Sequence, residues 1–433
     1  MRHRGVWLGL GVGLVVSVAG AAGVPTSPGG VKLGGAYALG AMQPVHFEAR
    51  RDGGGAIAVF ENGASLVVQR LAFADSVPLP SKAATITAPN NQTAKLAQAV
   101  EDKAGNVFVA YAGPATCAVK VDASGSILFD VSLPGLGCAA IAPDEAGGFY
   151  SASFAPAVSP VFALNRGRTR VAHYDAKGAP TWEAIGAEDV TYVPSCAVAA
   201  TPSGAMAAFT LAVGNKIGPG DVRMIAVTSA GAVAGQTTGL ALPSPILAHA
   251  GAVYALPDGT AVARADLNTG AWFVRYDKAA RVIGGAKYGW SSYAIGQAPD
   301  GSLAVARGTS PHEVEVTRWT PSAGGLATSV TTVDATSGPK QTIARVVWAG
   351  SRFVVLGDQE GKYPVFGVLA PDGAKLGTFS TGAGALWSPS IRGAAADGNH
   401  FAIVEVDAAK QARLAAGSYA LGGAVPPLTP KKP

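Results

Sequence analysis

Charge is scarce in this chain: Asp, Glu, Lys and Arg together make up only 14% of its 433 residues. Histidine and cysteine are scarcer still, at six and three. His3, His46, His173, His249, His312 and His400 never stand in pairs at metal-ligand spacing, and no HExxH, CxxC or GxSxG occurs. These absences remove the metalloprotease, zinc-ribbon and nucleophile-elbow readings, so no metal and no cofactor are expected. The Lys and Arg residues are scattered, apart from Arg166, Arg168 and Arg170 and the Lys431–Lys432 tail. That scatter lacks the basic stripe interleaved with aromatics that nucleic acid demands. We read the three arginines as solvated loop charges. Beyond the first twenty residues no apolar run reaches the length of about 20 residues that spans a bilayer, so no later membrane insertion is expected.

What the chain has in quantity is turn-formers and small apolar residues. It holds 57 Gly and 29 Pro, and 48% of it is hydrophobic, much of that Ala and Val. Such a mixture suits many short strands joined by tight turns, with small or β-branched side chains filling closely stacked sheets. The N-terminus is of another kind. Arg2, His3 and Arg4 precede an uninterrupted apolar and glycine run over residues 6–18, and Ala19-Gly20-Ala21 supplies a small-x-small cleavage pattern. Residues 1–21 therefore read as a signal peptide and residues 22–30 as a linker. The expected location is outside the cytoplasm: periplasmic, outer-surface or secreted. Residues 422–433 read as a Pro/Lys-rich tail.

Between these ends one phrase recurs: a short strand, a glycine turn, then a Val/Ala/Phe-rich strand. It reads RRDGGGAIAVF at 50–60, EDKAGNVFVAYA at 101–112, LPDGTAVARA at 256–265 and APDGSLAVAR at 298–307. Eight such turns are anchored on Gly53, Gly105, Gly147, Gly204, Gly259, Gly301, Gly350 and Gly398. Their mean spacing of about 49 residues falls in the range of propeller blades. Most repeats carry a second Asp/Gly turn, clearest in KVDASGSILFDVSL at 120–133 and HYDAKGAPTWEA at 173–184. Strand, turn, strand, loop, strand, turn, strand is a four-stranded antiparallel meander, which must stack on others to hide both faces.

We therefore expect an all-β fold, a single β-propeller over residues 31–421 with about eight four-stranded blades, seven being the alternative. Two β-sandwiches in tandem explain a single period less well. The last repeat shows only three strands, so residues 31–41 are expected to supply its fourth and close the ring.

The second-turn phrases Tyr174-Asp175-x-x-Gly178-x-x-x-Trp182 and Val121-Asp122-x-x-Gly125-x-x-x-Phe129 resemble the PQQ-like and SBBP-type β-propeller repeats of exported bacterial proteins. That resemblance implies the propeller fold. The blade-end tryptophan of quinone-dependent enzymes stands in this register once, and their adjacent-cysteine pair and ligand set are absent. The resemblance thus argues against a quinone cofactor.

Candidate sites are few. The Asp/Gly turns lack the alternating oxygen ligands of a calcium loop and read as type I and I′ turns. Cys138 and Cys196 occupy matching repeat positions, so a disulfide across the inner rim of adjacent blades is one reading. Cys117 with Cys138 is another, and three buried thiols a third. Aromatics recur in register before the turns at Tyr192, Trp290 and Trp387, with Tyr288 and Tyr293 close by. They offer either stacking surfaces for a ligand or wedges between blades. The long polar segments 165–170, 214–221, 266–270, 309–315 and 358–363 are expected on the same face. The function expected is non-catalytic: an exported binding or scaffold protein offering that face to a glycan, peptide or surface partner. The alternative is a propeller hydrolase or lyase acting on extracellular polysaccharide.

Overall fold

The computed structural model describes residues 31–419 except 41, 51–54, 75–76, 81–82, 114, 159–164, 213–220, 239–247, 268–269, 290–292, 299, 311–312, 323–324, 335–340, 350–351, 360–362, 371–374, 381–390, 398–399 and 407–411. Among the described residues the one helical segment is a 3-10 turn at Pro89–Asn91, and all other regular structure is strand. The strands follow one another as antiparallel meanders. A typical one runs Lys95–Glu101, Val107–Ala112, Thr116–Val121 and Ile127–Ser132. The next runs Leu136–Pro143, Phe149–Pro156, Arg166–Tyr174 and Pro180–Ile185. It is joined to the meander of residues 190–238 by two residue pairs, Arg166 with Thr191 and Gly167 with Val190. Residues 248–289, 293–334 and 341–380 form four-stranded meanders of the same kind. The first sheet, residues 43–87, has two short strands, Val77–Pro80 and Ala84–Thr87, sharing the outer side of Ser65–Ala74.

The first and last of the described strands meet. Val31–Gly40 pairs antiparallel with Ala412–Tyr419, on the far side of His400–Val406 and Ile391–Asp397. The N-terminal segment thus completes the sheet whose other three strands come from the end of the chain. The first strands of successive sheets lie side by side: Lys95–Glu101 on Leu136–Pro143, that on Val190–Thr201, and that on Ala248–Ala255. Ile391–Asp397 in turn contacts Gln43–Ala49. This is a β-propeller.

Alternation explains the core. Successive side chains of a strand point to opposite faces. Val107, Val109 and Tyr111 join Ile57, Val59 and Val68 of the preceding sheet in one buried cluster. Phe108 and Ala110, from the same strand, join Phe149, Ala172 and Tyr174 of the following sheet. The pattern repeats one sheet on: Tyr150, Ala152 and Phe154 meet Ala205, Ala207 and Phe209, whereas Met206 and Ala208 face Ala261, Ala263 and Tyr276. Because both faces of these middle strands are buried, each reads as a continuous apolar run rather than an alternating one. Abundant alanine lets neighbouring sheets approach closely.

Several turns share one construction, although the turn at Gly204 is a two-residue hairpin with Thr201 opposite Gly204. In the turn at 102–106 the Asp102 N–H donates to Asn106 O (2.8 Å) and Gly105 N–H to Asp102 O (3.2 Å). The Asp102 carboxylate accepts from the Ala104 and Asn106 amides. The same bonds recur around Asp122, Asp175 and Asp277. These are three-residue hairpin loops whose third loop residue is left-handed, rather than I′ turns. Glycine fills that position except at Ala280, φ +58°. Gly53, Gly350 and Gly398 lie outside the described residues.

At two of these turns glycine answers a second demand. A Cβ on Gly178 (φ +80°) would stand 3.0 Å from the Phe129 ring, and one on Gly231 (φ +85°) 2.8 Å from the Trp182 ring. Each ring lies on the outer strand of the preceding meander and docks on the glycine turn of the next. Trp182 Nε1 also donates to Ser229 O at 2.9 Å. This docking is the physical content of the Asp-x-x-Gly-x-x-x-aromatic phrase.

Polar bonds and one covalent bond tie the innermost strands. The Ile141 amide donates to Gln98 Oε1 (2.8 Å), Ser195 Oγ to Ala250 O (2.8 Å) and Gln297 Nε2 to Ala255 O (2.9 Å). Cys138 and Cys196, on the innermost strands of two adjacent meanders, form a disulfide with Cα atoms 6.0 Å apart. Cys117 is a free, buried thiol whose pKa burial pushes up.

Two predictions follow the packing. Gly231→Ala should lower stability by at least about 2 kcal/mol, from the left-handed backbone plus overlap with the indole. In a Trp182→Ala background the same substitution should fall to about 1 kcal/mol, measured as a urea double-mutant cycle. Replacing both Cys138 and Cys196 by Ser opens a loop closed across 58 residues of separation. It should remove about 2–4 kcal/mol, and reduction of the parent protein should lower the melting temperature comparably.

Candidate functional site

Asp102, Asp144, Asp258 and Asp300 are committed to architecture on both sides of the carboxylate. One oxygen of the turn aspartate caps backbone amides. The other faces a basic side chain from the third strand of its own meander. Arg275 meets Asp258 at 2.7 Å, His173 Nε2 meets Asp144 at 2.7 Å, Arg318 meets Asp300 at 3.3 Å and Lys120 meets Asp102 at 3.9 Å. Burial alone would raise the Asp258 pKa, but bonds from Thr260 and Arg275 outweigh it and hold the carboxyl below its usual range. Lys120 reaches on to Gly147 O in the next sheet (2.6 Å). Arg70 likewise crosses to Asp122 O (2.5 Å) and Gly105 O, and burial lowers its pKa. Reading these aspartates as turn formers captured the backbone bonds and missed the base opposite. The base stands about eighteen residues downstream in the repeats built on Asp102, Asp258 and Asp300, but 29 downstream of Asp144. Among the described residues, no group of three or more His, Cys, Asp or Glu is arranged to hold a metal ion.

The aromatic candidates are only partly placed. Tyr192 is 7% exposed, and its ring stacks on Phe154 with centroids 4.3 Å apart. Gly137 and Gly167 leave room for that ring, since a Cβ on either would press against it. Tyr192 is a wedge between strands and presents no face to a ligand. Tyr288 stands on the outer strand Val282–Gly289, opposite Ala271. Tyr293 opens the inner strand Tyr293–Gln297, opposite Arg307. Trp290 and Trp387 lie outside the described residues, as do 214–220, 268–269, 311–312 and 360–362 of the polar segments.

The segment 165–170 needs correction. It is not a solvated loop: Arg166 begins the strand Arg166–Tyr174. Arg170 is buried, with its Nε 2.9 Å from Glu183 and a second bond to Pro134 O. The alternation of the three arginines with the buried Gly167 and Thr169 is a period-two strand signal, which the charge had masked.

Arg170 and Glu183 border a feature with no signal in the sequence. Between the outer strands of the 95–132 and 136–185 meanders runs an open cleft of about 610 Å³. One side is Val131, Ser132 and Pro134; the other is the outer strand from Pro180 to Glu183. Tyr174 lines it too, and its hydroxyl is buried with no hydrogen-bond partner. The cleft is assembled from residues some fifty positions apart.

No protein-family model matches the chain, and no curated relative does. Solved structures are similar in fold. The Dos1 propeller superposes with a TM-score of 0.53 at 9% identity, over 90% of this chain and 96% of that one. Sqt1 of Saccharomyces cerevisiae gives a TM-score of 0.53 at 7% identity, over 89% and 98%. The WD40 domain of SCAP from fission yeast gives 0.49 at 10% identity, over 87% and 92%. At such identities the likeness is one of fold alone: this chain is a β-propeller.

Proposed function

We propose that this chain is an exported, non-catalytic binding protein: an eight-bladed propeller, closed by pairing of Val31–Gly40 with Ala412–Tyr419, that presents a loop-rich face to a glycan or peptide. The observation that carries this reading is the fate of the charged side chains. The turn aspartates and third-strand bases are engaged in holding hairpins and neighbouring sheets together, as the pairs at Asp144, Asp258 and Asp300 do. A ring braced in that way suits rigid display. The eight-blade count is supported by seven sheets among the described residues, the largest of which is two meanders joined by two residue pairs. Export is supported by the basic start, apolar run and cleavage pattern of residues 1–21.

The test is binding of residues 22–433 to glycan and peptide arrays, compared with Trp290→Ala and Trp387→Ala. Loss of a stacked ring should weaken binding by about tenfold or more, as truncated aromatic anchors do. Absence of any ligand, or a ligand indifferent to both substitutions, overturns the stacking face.

A further inference from the structure

Among the described residues, the outer strand Pro180–Ile185 is paired on one side only, by Arg166–Tyr174. Its register sets Ile185 opposite Arg170, Ala184 opposite Val171, Glu183 opposite Ala172 and Trp182 opposite His173. Antiparallel ladders alternate hydrogen-bonded and non-bonded pairs. The Gly186 N–H donates to Thr169 O at 2.8 Å, which makes that pair a bonded one. Counting back in twos, Ala184 and Trp182 bond inward. The backbone N–H and C=O of Glu183 and Ile185 therefore point away from the sheet.

The cleft reaches that outward edge. Four consecutive residues, Pro180 to Glu183, line it. Arg170 and Tyr174, on the strand inside it, line the cleft as well, so the recess runs from the sheet's face out to the free edge. About 10 Å of strand is presented, the length of three or four paired residues. The facing wall is apolar at Val131 and Pro134. Arg170 and Glu183 neutralise each other across 2.9 Å at its border, so neither an anion nor a cation is favoured.

We propose that this cleft takes an extended, uncharged peptide segment, which adds as a fifth strand along Pro180–Ile185 and turns an apolar side chain toward Val131 and Pro134. Main-chain bonds to the Glu183 backbone provide the recognition, as in other strand-addition complexes. Other outer strands also have a free edge; at this one a recess walled by the neighbouring sheet adjoins it. The site is separate from the loop face and does not depend on what that face binds.

The probe is an end-capped, fluorescent hexapeptide of alternating Val and Thr, titrated against residues 22–433 by anisotropy. Glu183→Gln keeps the outward amide and should bind within a few-fold of the parent. Glu183→Pro removes that amide while leaving the ladder bonds at Trp182 and Ala184, and should bind at least about tenfold more weakly. Methylating every second amide of the peptide gives two phases. One should abolish binding to the parent and the other spare it, a contrast that decides the matter even if Glu183→Pro fails to fold. The proposal is overturned if the parent does not bind the peptide, if both methylated phases bind alike, or if the Pro and Gln variants do. Binding of maltohexaose that displaces the peptide and is indifferent to Glu183→Pro would overturn it in favour of a saccharide groove.

Discussion

Everything in this molecule depends on one constraint: a four-stranded sheet with two apolar faces has nowhere to put either of them except against another sheet. Phe108 looks one way along the ring and Val109 the other, and each is buried only because a neighbouring meander stands there. No sheet supplies its own core, so stability resides in the junctions. Alanine and valine are abundant because the junctions are narrow. The glycines under Phe129 and Trp182 are the places where narrowness becomes contact between a ring and a backbone.

The junctions differ in chemistry while sharing geometry. One holds stacked aromatics, with Phe149 and Tyr174 nearly parallel at 4.6 Å. Another sets Phe273 edge-on to Trp319 at 4.2 Å. Toward the axis the strands are tied by amide and hydroxyl bonds, and in one place by a disulfide. At the rim, basic side chains of third strands hold turn aspartates and, at Lys120 and Arg70, reach across to the next sheet. The same few bonds recur with different residues, which is why the sequence repeats in pattern more than in letters.

The fold was legible because turn geometry is local. Glycine at a left-handed position three residues after aspartate is a demand that a single short segment makes, and it recurs visibly at Gly125 and Gly178. Where alanine stands instead, at Ala280, the phrase looked degenerate although the turn is the same. The pairing of Cys138 with Cys196 was one of several readings, separated from the others only by three-dimensional position. What was not legible is non-local or reversed by burial. Arg170 is charged and yet interior, because Glu183 and a carbonyl receive it. The spacing of Tyr192 left a stacking surface and an internal wedge both open, and it is Gly137 and Gly167, opening a slot for its ring, that decide for the wedge. The cleft beside Glu183 exists only once two sheets stand together.

The pairing of the first and last described strands has a kinetic side. Each meander closes contacts between residues a few tens of positions apart, the kind of local pairing that forms fast. The pairing of Tyr37 with Leu414 bridges nearly the whole chain and must wait until the last strand exists. Until then Ala412–Tyr419 lacks its outer neighbour, and Val31–Gly40 lacks any partner within its sheet. The ring is therefore a clasp that snaps shut last, and the interval before it does is when an unpaired strand is most open to capture by another chain.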